Sequence, residues 1–362
     1  LYFFMALMED TGYMSRAVFL MDRLMHKIGL HGKSFIPLVM GFGCNVPAIL
    51  ATRILENRNE RLITILINPF ISCNARLPVY VLFISAFFPD YSGTMLFGIY
   101  TLGIVVAILT ALVLRKTFFR ERPQPFVMEL PPYRMPTRKA LLMHMWRRSQ
   151  QYLRKIGGVI LIASVLFWAL SYFPRNPAAL KPLQAEMASL TTTYDHRLSE
   201  LRPADSLAFQ HIAAEKEATL HALQLREKRA QREHSWLGSM GRFIEPAIRP
   251  LGFDWRIGIS IISGIPAKEI IVSSLSILYQ VDDVEGTEAT LVQKLQASGK
   301  GSGGDTVGGI TPLVALSFLV FVLLYLPCIG TLTAISREAG SWKWGAFMLV
   351  YSFSIAWLLS FA

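Results

Sequence analysis

Charge is what this sequence has least of. Only 17% of its 362 residues are Asp, Glu, Lys or Arg, while 52% are hydrophobic. A water-soluble domain of that length needs more polar surface, so the bilayer is the expected solvent. No charged residue occurs in Ser34 to Thr52, Tyr91 to Leu114, Ile156 to Phe173, Thr306 to Ser336 or Trp344 to Ala362. Each window approaches or exceeds the ~20 residues that cross a hydrocarbon core. Cysteine is scarce too: Cys44, Cys73 and Cys328 cannot pair completely, and all three lie in apolar stretches, which speaks against a disulfide framework. The chain has no His-Glu-x-x-His, no Gly-x-Ser-x-Gly and no Cys-x-x-Cys, so a membrane hydrolase or redox enzyme has no support. Gly32-Lys33-Ser34 ends like a phosphate-binding loop, but Lys27 stands where the leading glycine is needed, so no nucleotide site is read there.

The charges that are present cluster beside the windows. The net charge of +11 comes largely from loops such as 115–155, which holds Arg115, Lys116, Arg138, Arg147 and Lys155 among others, and from Arg53, Arg58 and Arg61. These read as cytoplasmic topology signals rather than as a nucleic-acid surface. Leu1 to Met8 reads as the tail of a helix already under way, so the chain is expected to belong to a longer parent. From Tyr13 to Ile28, Val18, Met21, Met25 and Ile28 recur at helical spacing opposite Arg16, Asp22, Arg23 and Lys27, predicting an interfacial helix. A proline-punctuated linker at Met128 to Pro136 leads to a second such helix carrying Leu142, Met145 and Trp146. The fold class expected is an all-α polytopic membrane protein with about eight crossing or re-entrant segments. Its divisions are 1–33, a helix end and an interfacial helix; 34–114, a first repeat; 115–155, a basic linker; and 156–173, a membrane helix. An extracytoplasmic helical hairpin follows over 174–254, then a second repeat over 255–362 with a flexible Gly-rich linker at 280–309.

The repeat is faint but ordered. Gly29-Leu30 precedes Gly41-Phe42-Gly43-Cys44-Asn45-Val46-Pro47, and Gly252-Phe253 precedes Ser263-Gly264-Ile265-Pro266. In each half a second apolar segment is broken by proline and carries a cysteine, Cys73 between Pro69 and Pro78 and Cys328 after Pro327. Gly or Pro breaks in a membrane helix free backbone groups that lipid cannot satisfy, so such breaks are tolerated only where buried or lining a polar cavity. Paired broken helices in two halves point to a transport site between them.

All three cysteines sit on these breaks. One membrane cysteine is ordinarily packing. Three on breaks, with Asn45 beside Cys44 and Ser72 and Asn74 flanking Cys73, suggest thiol and oxygen donors for a first-row divalent ion. Cys44 and Cys328 are the leading pair and Cys73 a third or relay ligand, with Met40 one turn away as an auxiliary that packing explains equally well. Lys268 and Glu269 interrupt Ile257 to Val281, and Arg76 interrupts Leu62 to Pro89. An ionisable group there faces a cavity or sits at the tip of a re-entrant turn, and both readings stay open. Glu269 is a candidate for attracting the cation or relaying a proton.

Glu9-Asp10-Thr11-Gly12-Tyr13-Met14-Ser15-Arg16, Gly43-Cys44-Asn45-Val46-Pro47-Ala48, Ser72-Cys73-Asn74-Ala75-Arg76-Leu77, Ala267-Lys268-Glu269, Leu326-Pro327-Cys328 and Gly340-Ser341-Trp342-Lys343-Trp344 together resemble the ferrous iron transport protein B family. The resemblance implies a multi-pass permease of the bacterial inner membrane, with two Gate-type repeats, that moves Fe(II). The break cysteines Cys44 and Cys328 match the family's proposed iron path. It implies no enzyme activity for this stretch, but a GTPase parent whose GTP and Mg site lies in an N-terminal domain outside this sequence. The partners it implies are the lipid bilayer, that GTP-binding domain, a small cytoplasmic accessory protein and further copies of the chain, with no nucleic acid. Gate-type repeats are also associated with nucleoside transport, which is the alternative reading. A metal-binding membrane protein that does not transport is a third.

Overall fold

The computed structural model describes residue 7, residues 11–119, 137–152, 157–173, 177–200, 235–278 and 310–361, and isolated positions between 212 and 224. The expected helix tail at the start and the linkers at 128–136 and 280–309 lie outside the described residues. Among the described residues there is no strand, and the chain is an all-α polytopic membrane protein.

Fifteen α-helices are described, and two successions of them have the same order. The first begins with α1, Tyr13–Ile28, whose apolar stripe leads into a turn at Gly29. Gly29 takes the left-handed backbone (φ 83°) that an L side chain rarely adopts; its N–H donates to His26 O, and the Leu30 N–H donates to Met25 O. His31 then caps a short 3-10 turn, its Nδ1 accepting from the Lys33 N–H at 3.1 Å. Next come α2, Phe35–Gly43, and α3, Asn45–Ala51, separated by Cys44 alone, which is extended (φ −159°, ψ 129°). α4, Arg58–Ile67, runs into a 3-10 turn at Asn68–Phe70 and an irregular stretch before α5, Leu77–Phe87. α6, Ser92–Thr117, is unbroken: its 26 residues at about 1.5 Å each exceed the ~30 Å hydrocarbon thickness.

α7, Arg138–Tyr152, and α8, Gly158–Tyr172, connect to the second succession. Between them and it lies α9, Pro177–Glu200, beside which the described positions of 212–224 stand: Tyr194 Oη bonds Glu215, and Lys216 pairs with Asp195. The excursion leaves and returns at one point, because the Trp236 N–H donates to Phe173 O at 3.0 Å.

The second succession opens with α10, Trp236–Ile248, and a 3-10 turn ending at Gly252 (φ 78°), where Phe253 N–H donates to Ile248 O as Leu30 does to Met25 O. α11, Trp255–Ser263, capped by Asp254, breaks before α12, Ile270–Leu278. α13, Pro312–Leu324, breaks at residues 325–328 before α14, Ile329–Glu338, and α15, Trp342–Phe361, closes the order. Among the described residues, four stretches are long and apolar enough to cross a membrane: Arg58–Phe87, Pro89–Thr117, Pro312–Glu338 and Trp342–Phe361. The first and third of these run through breaks.

The halves share one core. Phe83 of α5 meets Phe318 of α13 with centroids 4.5 Å apart, and Phe253 packs on Phe318 and Phe321. Lipid tails are as apolar as leucine, so close packing rather than water exclusion holds such helices together. Small residues supply that closeness. Gly103, Ala107 and Ala111 recur every four residues on the buried side of α6, and Ser352, Ala356 and Ser360 do so on α15.

Candidate functional site

Each cysteine stands at the residue that begins a helix after a break. Cys44 precedes α3, Cys73 precedes the 3-10 turn Asn74–Arg76 that leads into α5, and Cys328 precedes α14. The cause is local: proline next to or shortly after the cysteine forbids a continuous hydrogen-bond ladder, and the cysteine takes the extended conformation that restarts the chain. All three are half-buried free thiols. Because α3 packs on α14, the two restarted helices of the two halves lie side by side and carry Cys44 and Cys328 with them. Cys44 lies within electrostatic range of Cys328, Cys73 and Glu269. Cys328 Sγ also touches Thr331 Oγ1 at 3.1 Å.

The neighbouring residues divide by environment. Ser72 is buried and donates to Tyr80 Oη at 3.0 Å. Asn74 and Glu269 are exposed, whereas Lys268, adjacent to Glu269, is buried. Lys268 Nζ donates to Leu326 O at 2.6 Å and lies 3.3 Å from the centre of the Tyr325 ring. Together with the Ile329 N–H donating to Ile265 O at 3.0 Å, this ties the 264–269 break to the 325–328 break. Lys268 therefore serves the backbone of a break, and Glu269 stands apart from it. Arg76 is also buried, with Nη1 donating to Pro69 O at 3.1 Å and Nε unpartnered. Met40 is buried in α2, and its carbonyl accepts from the Cys44 N–H at 3.1 Å.

Two features escape a reading of the sequence. Asn68 is fully buried beside the Cys44 break, with neither side-chain atom hydrogen-bonded, and Asn45 Oδ1 is likewise unpartnered. A polar residue before Pro69 inside an apolar window was the available signal. The second is Glu338, at the end of α14. Arg53 grips both of its carboxylate oxygens, at 2.5 and 2.8 Å, and Arg61 bonds its carboxylate and its carbonyl at 2.8 and 2.9 Å. The hydrogen bonds to Glu338 hold the Arg53 guanidinium above its ordinary range. Arg61 and Glu338 border a cavity of about 340 Å³ shared with Leu55, Arg58 and Gly340.

Among the described residues, no three His, Cys, Asp or Glu side chains lie close enough to hold one metal ion together.

The chain is similar to known proteins along its whole length. The family model described as "Nucleoside recognition", named Gate, matches residues 1–87 and 153–342, and the one described as "Ferrous iron transport protein B C terminus" matches residues 96–148. The chain is 46% identical over 364 residues to a protein of Porphyromonas gingivalis named "Fe(2+) transport protein A/Fe(2+) transporter FeoB fusion protein", covering 100% of this chain and 41% of that one. It is 38% identical to proteins named "Fe(2+) transporter FeoB" in Helicobacter pylori (99% of this chain, 52% of that one) and Staphylococcus aureus (100% and 45%). The chain thus spans about half the length of the relatives it matches. No solved structure matches it.

Proposed function

The chain belongs to the ferrous iron transport protein B family, as part of its Gate-containing membrane portion, and from that premise we propose that it is the permease portion of a ferrous iron importer of the bacterial inner membrane. Fe(II) is the cargo. It passes along the breaks, with Cys44 and Cys328 as thiol donors from the two halves, Cys73 as a relay, and Asn45, Ser72 and Asn74 contributing oxygens near them. Glu269 attracts the cation from its exposed position. The observation that carries this reading is the packing of α3 on α14, which brings together two restarted helices that each begin at a cysteine. Thiols suit a borderline first-row ion, and donors that do not close into a cage suit an ion that must leave again.

GTP hydrolysis belongs to the rest of the parent protein. A small cytoplasmic accessory protein is a fitting partner, a reading supported by the P. gingivalis relative, whose printed name joins Fe(2+) transport protein A to the transporter.

The test is anaerobic uptake of labelled Fe(II) into proteoliposomes holding the full-length parent. Cys44→Ser and Cys328→Ser, at matched insertion, are expected each to lower uptake by about tenfold or more. Uptake at the wild-type rate in both would return the cysteines to packing. One observation favours a second reading, nucleoside transport: the longest family match is to a model described by nucleoside recognition. Labelled nucleoside in the same vesicles separates the two.

A further inference from the structure

Three of the four membrane-crossing stretches start or stop at one cavity. Arg58 begins the first, Glu338 ends the third, and Trp342, just beyond Gly340, begins the fourth. The cavity of about 340 Å³ lined by Leu55, Arg58, Arg61, Glu338 and Gly340 therefore stands at a membrane boundary rather than inside the bundle. The second stretch ends on the same face at Thr117, since Phe119 stacks on Trp344 there. With Arg115, Lys116 and Lys343 also on it, this is the basic, cytoplasmic face. The size falls in the range of small-ligand clefts, about 300–1,000 Å³. Exposed apolar side chains flank the opening: Ile54, next to Leu55, is 44% exposed, and Trp342 is 73% exposed. Tryptophan is enriched where headgroups meet hydrocarbon.

The charges around the cavity do not balance. Arg61 in the lining and Arg53 beside it both hold Glu338, and Glu56 pairs with Lys33 at 3.0 Å. Arg58 is exposed and has no hydrogen-bond or ion-pair partner among the described residues, and Arg61 Nε is also unpartnered. Lys33, Arg53, Arg58 and Arg61 thus stand against Glu56 and Glu338, four cations against two carboxylates. Glu60, in the first turn of α4, is not part of the lining. The N-terminus of α4 and the C-terminus of α14 both open here and offset each other, so side chains set the sign.

A phosphate answers this combination. Guanidinium groups bind it through charge-assisted hydrogen bonds, and basic pockets between membrane helices on the cytoplasmic side hold lipid headgroups. We propose that the cavity at Arg58 and Arg61 binds the phosphate headgroup of an anionic phospholipid, whose acyl chains run along Ile54 and Trp342. A free anion would share the arginines but gain nothing from the exposed apolar rim. Arg58 and Arg61 belong to the first half and Gly340 to the second, so the lipid bridges the halves beside the Glu338 clamp. The inference needs the membrane setting of the chain and goes beyond iron transport.

The experiment uses the full-length parent in uncharged detergent, titrated separately with short-chain phosphatidylglycerol, short-chain phosphatidylcholine and inorganic phosphate, with bound ligand read by native mass spectrometry. Saturable binding of phosphatidylglycerol is expected, about tenfold or more tighter than of the other two. Arg58→Gln is expected to weaken it about fivefold, and Arg58→Lys, which keeps the charge, to recover most of that loss. Lys343→Gln removes an exposed cation from the same face outside the cavity, and is expected to change the affinity by less than about twofold. Equal losses in Arg58→Gln and Lys343→Gln would show diffuse attraction to a basic face and overturn the site. Inorganic phosphate binding as tightly as the lipid, with the same dependence on Arg58, would overturn the lipid assignment in favour of a free anion. Wild-type affinity for phosphatidylglycerol in Arg58→Gln would overturn both.

Discussion

Lys268 shows how an ionisable residue survives in an apolar segment. Its ammonium sits on a carbonyl that the 325–328 break has released, and over the face of Tyr325, so one side chain satisfies the backbone and finds an aromatic partner for its charge. Replacing it with methionine keeps most of the volume and leaves Leu326 O unpaired. Lys268→Met is expected to cost about 1–3 kcal/mol, seen as a lower melting temperature of the detergent-solubilised protein. Lys268→Arg should not restore it, because a planar fork does not fit where a compact ammonium does. A wild-type melting temperature for Lys268→Met would show the tie to be idle. Of Lys268 and Glu269, the sequence reveals only that both are anomalous. Both lie in the 264–269 break between α11 and α12, and only the folded chain shows that Lys268 turns inward and Glu269 outward.

Helices in this protein are built for approach as much as for span. Along α6, Gly103 lies against the 68–70 turn: a β-carbon on it would come within 2.8 Å of Phe70 O, a backbone atom that cannot step aside without moving the turn. Gly98, five residues earlier, has open space around it. Gly103→Ala is therefore expected to destabilise the solubilised protein by about 1–3 kcal/mol through overpacking. Gly98→Ala should be neutral, or stabilising by at most about 1 kcal/mol through helix propensity. Thermal unfolding of the two variants side by side checks the contrast, and equal melting temperatures would deny Gly103 a special role. The four-residue rhythm of small residues in α6 and α15 is legible in the chain. Which surface it presses against is not, because the 68–70 turn exists only once Pro69 has ended α4.

At the scale of the molecule, Glu338 joins the halves. Arg53 and Arg61 reach it across separations of 285 and 277 residues. The Glu338 side chain is 4% exposed, while Arg53 and Arg61 keep 55% and 29% exposure and can rehydrate. Glu338→Gln is then expected to cost about 1–2 kcal/mol, less than the ~3–5 of a fully buried pair. A double-mutant cycle in thermal unfolding should find stronger coupling of Glu338 to Arg61 than to Arg53, because Arg61 is more buried and also holds the Glu338 carbonyl. Zero coupling to both would leave the halves held by apolar packing alone. The chain by itself determines the solvent, the helical class, the amphipathic entry α1, the glycines that allow turns at Gly29 and Gly252, and the positions of the breaks, whereas Trp236–Ile248, read from the sequence as part of the 174–254 hairpin, opens the second succession. The features it determines follow from composition, spacing and the backbone limits of Gly and Pro, all of which act over a few residues. Only the tertiary structure decides that Cys44 and Cys328 ride on helices packed together, that Asn68 is buried beside the Cys44 break, and that Glu338 finds two arginines of the other half. Such meetings depend on which helix lies beside which, and close packing of the whole bundle sets that order.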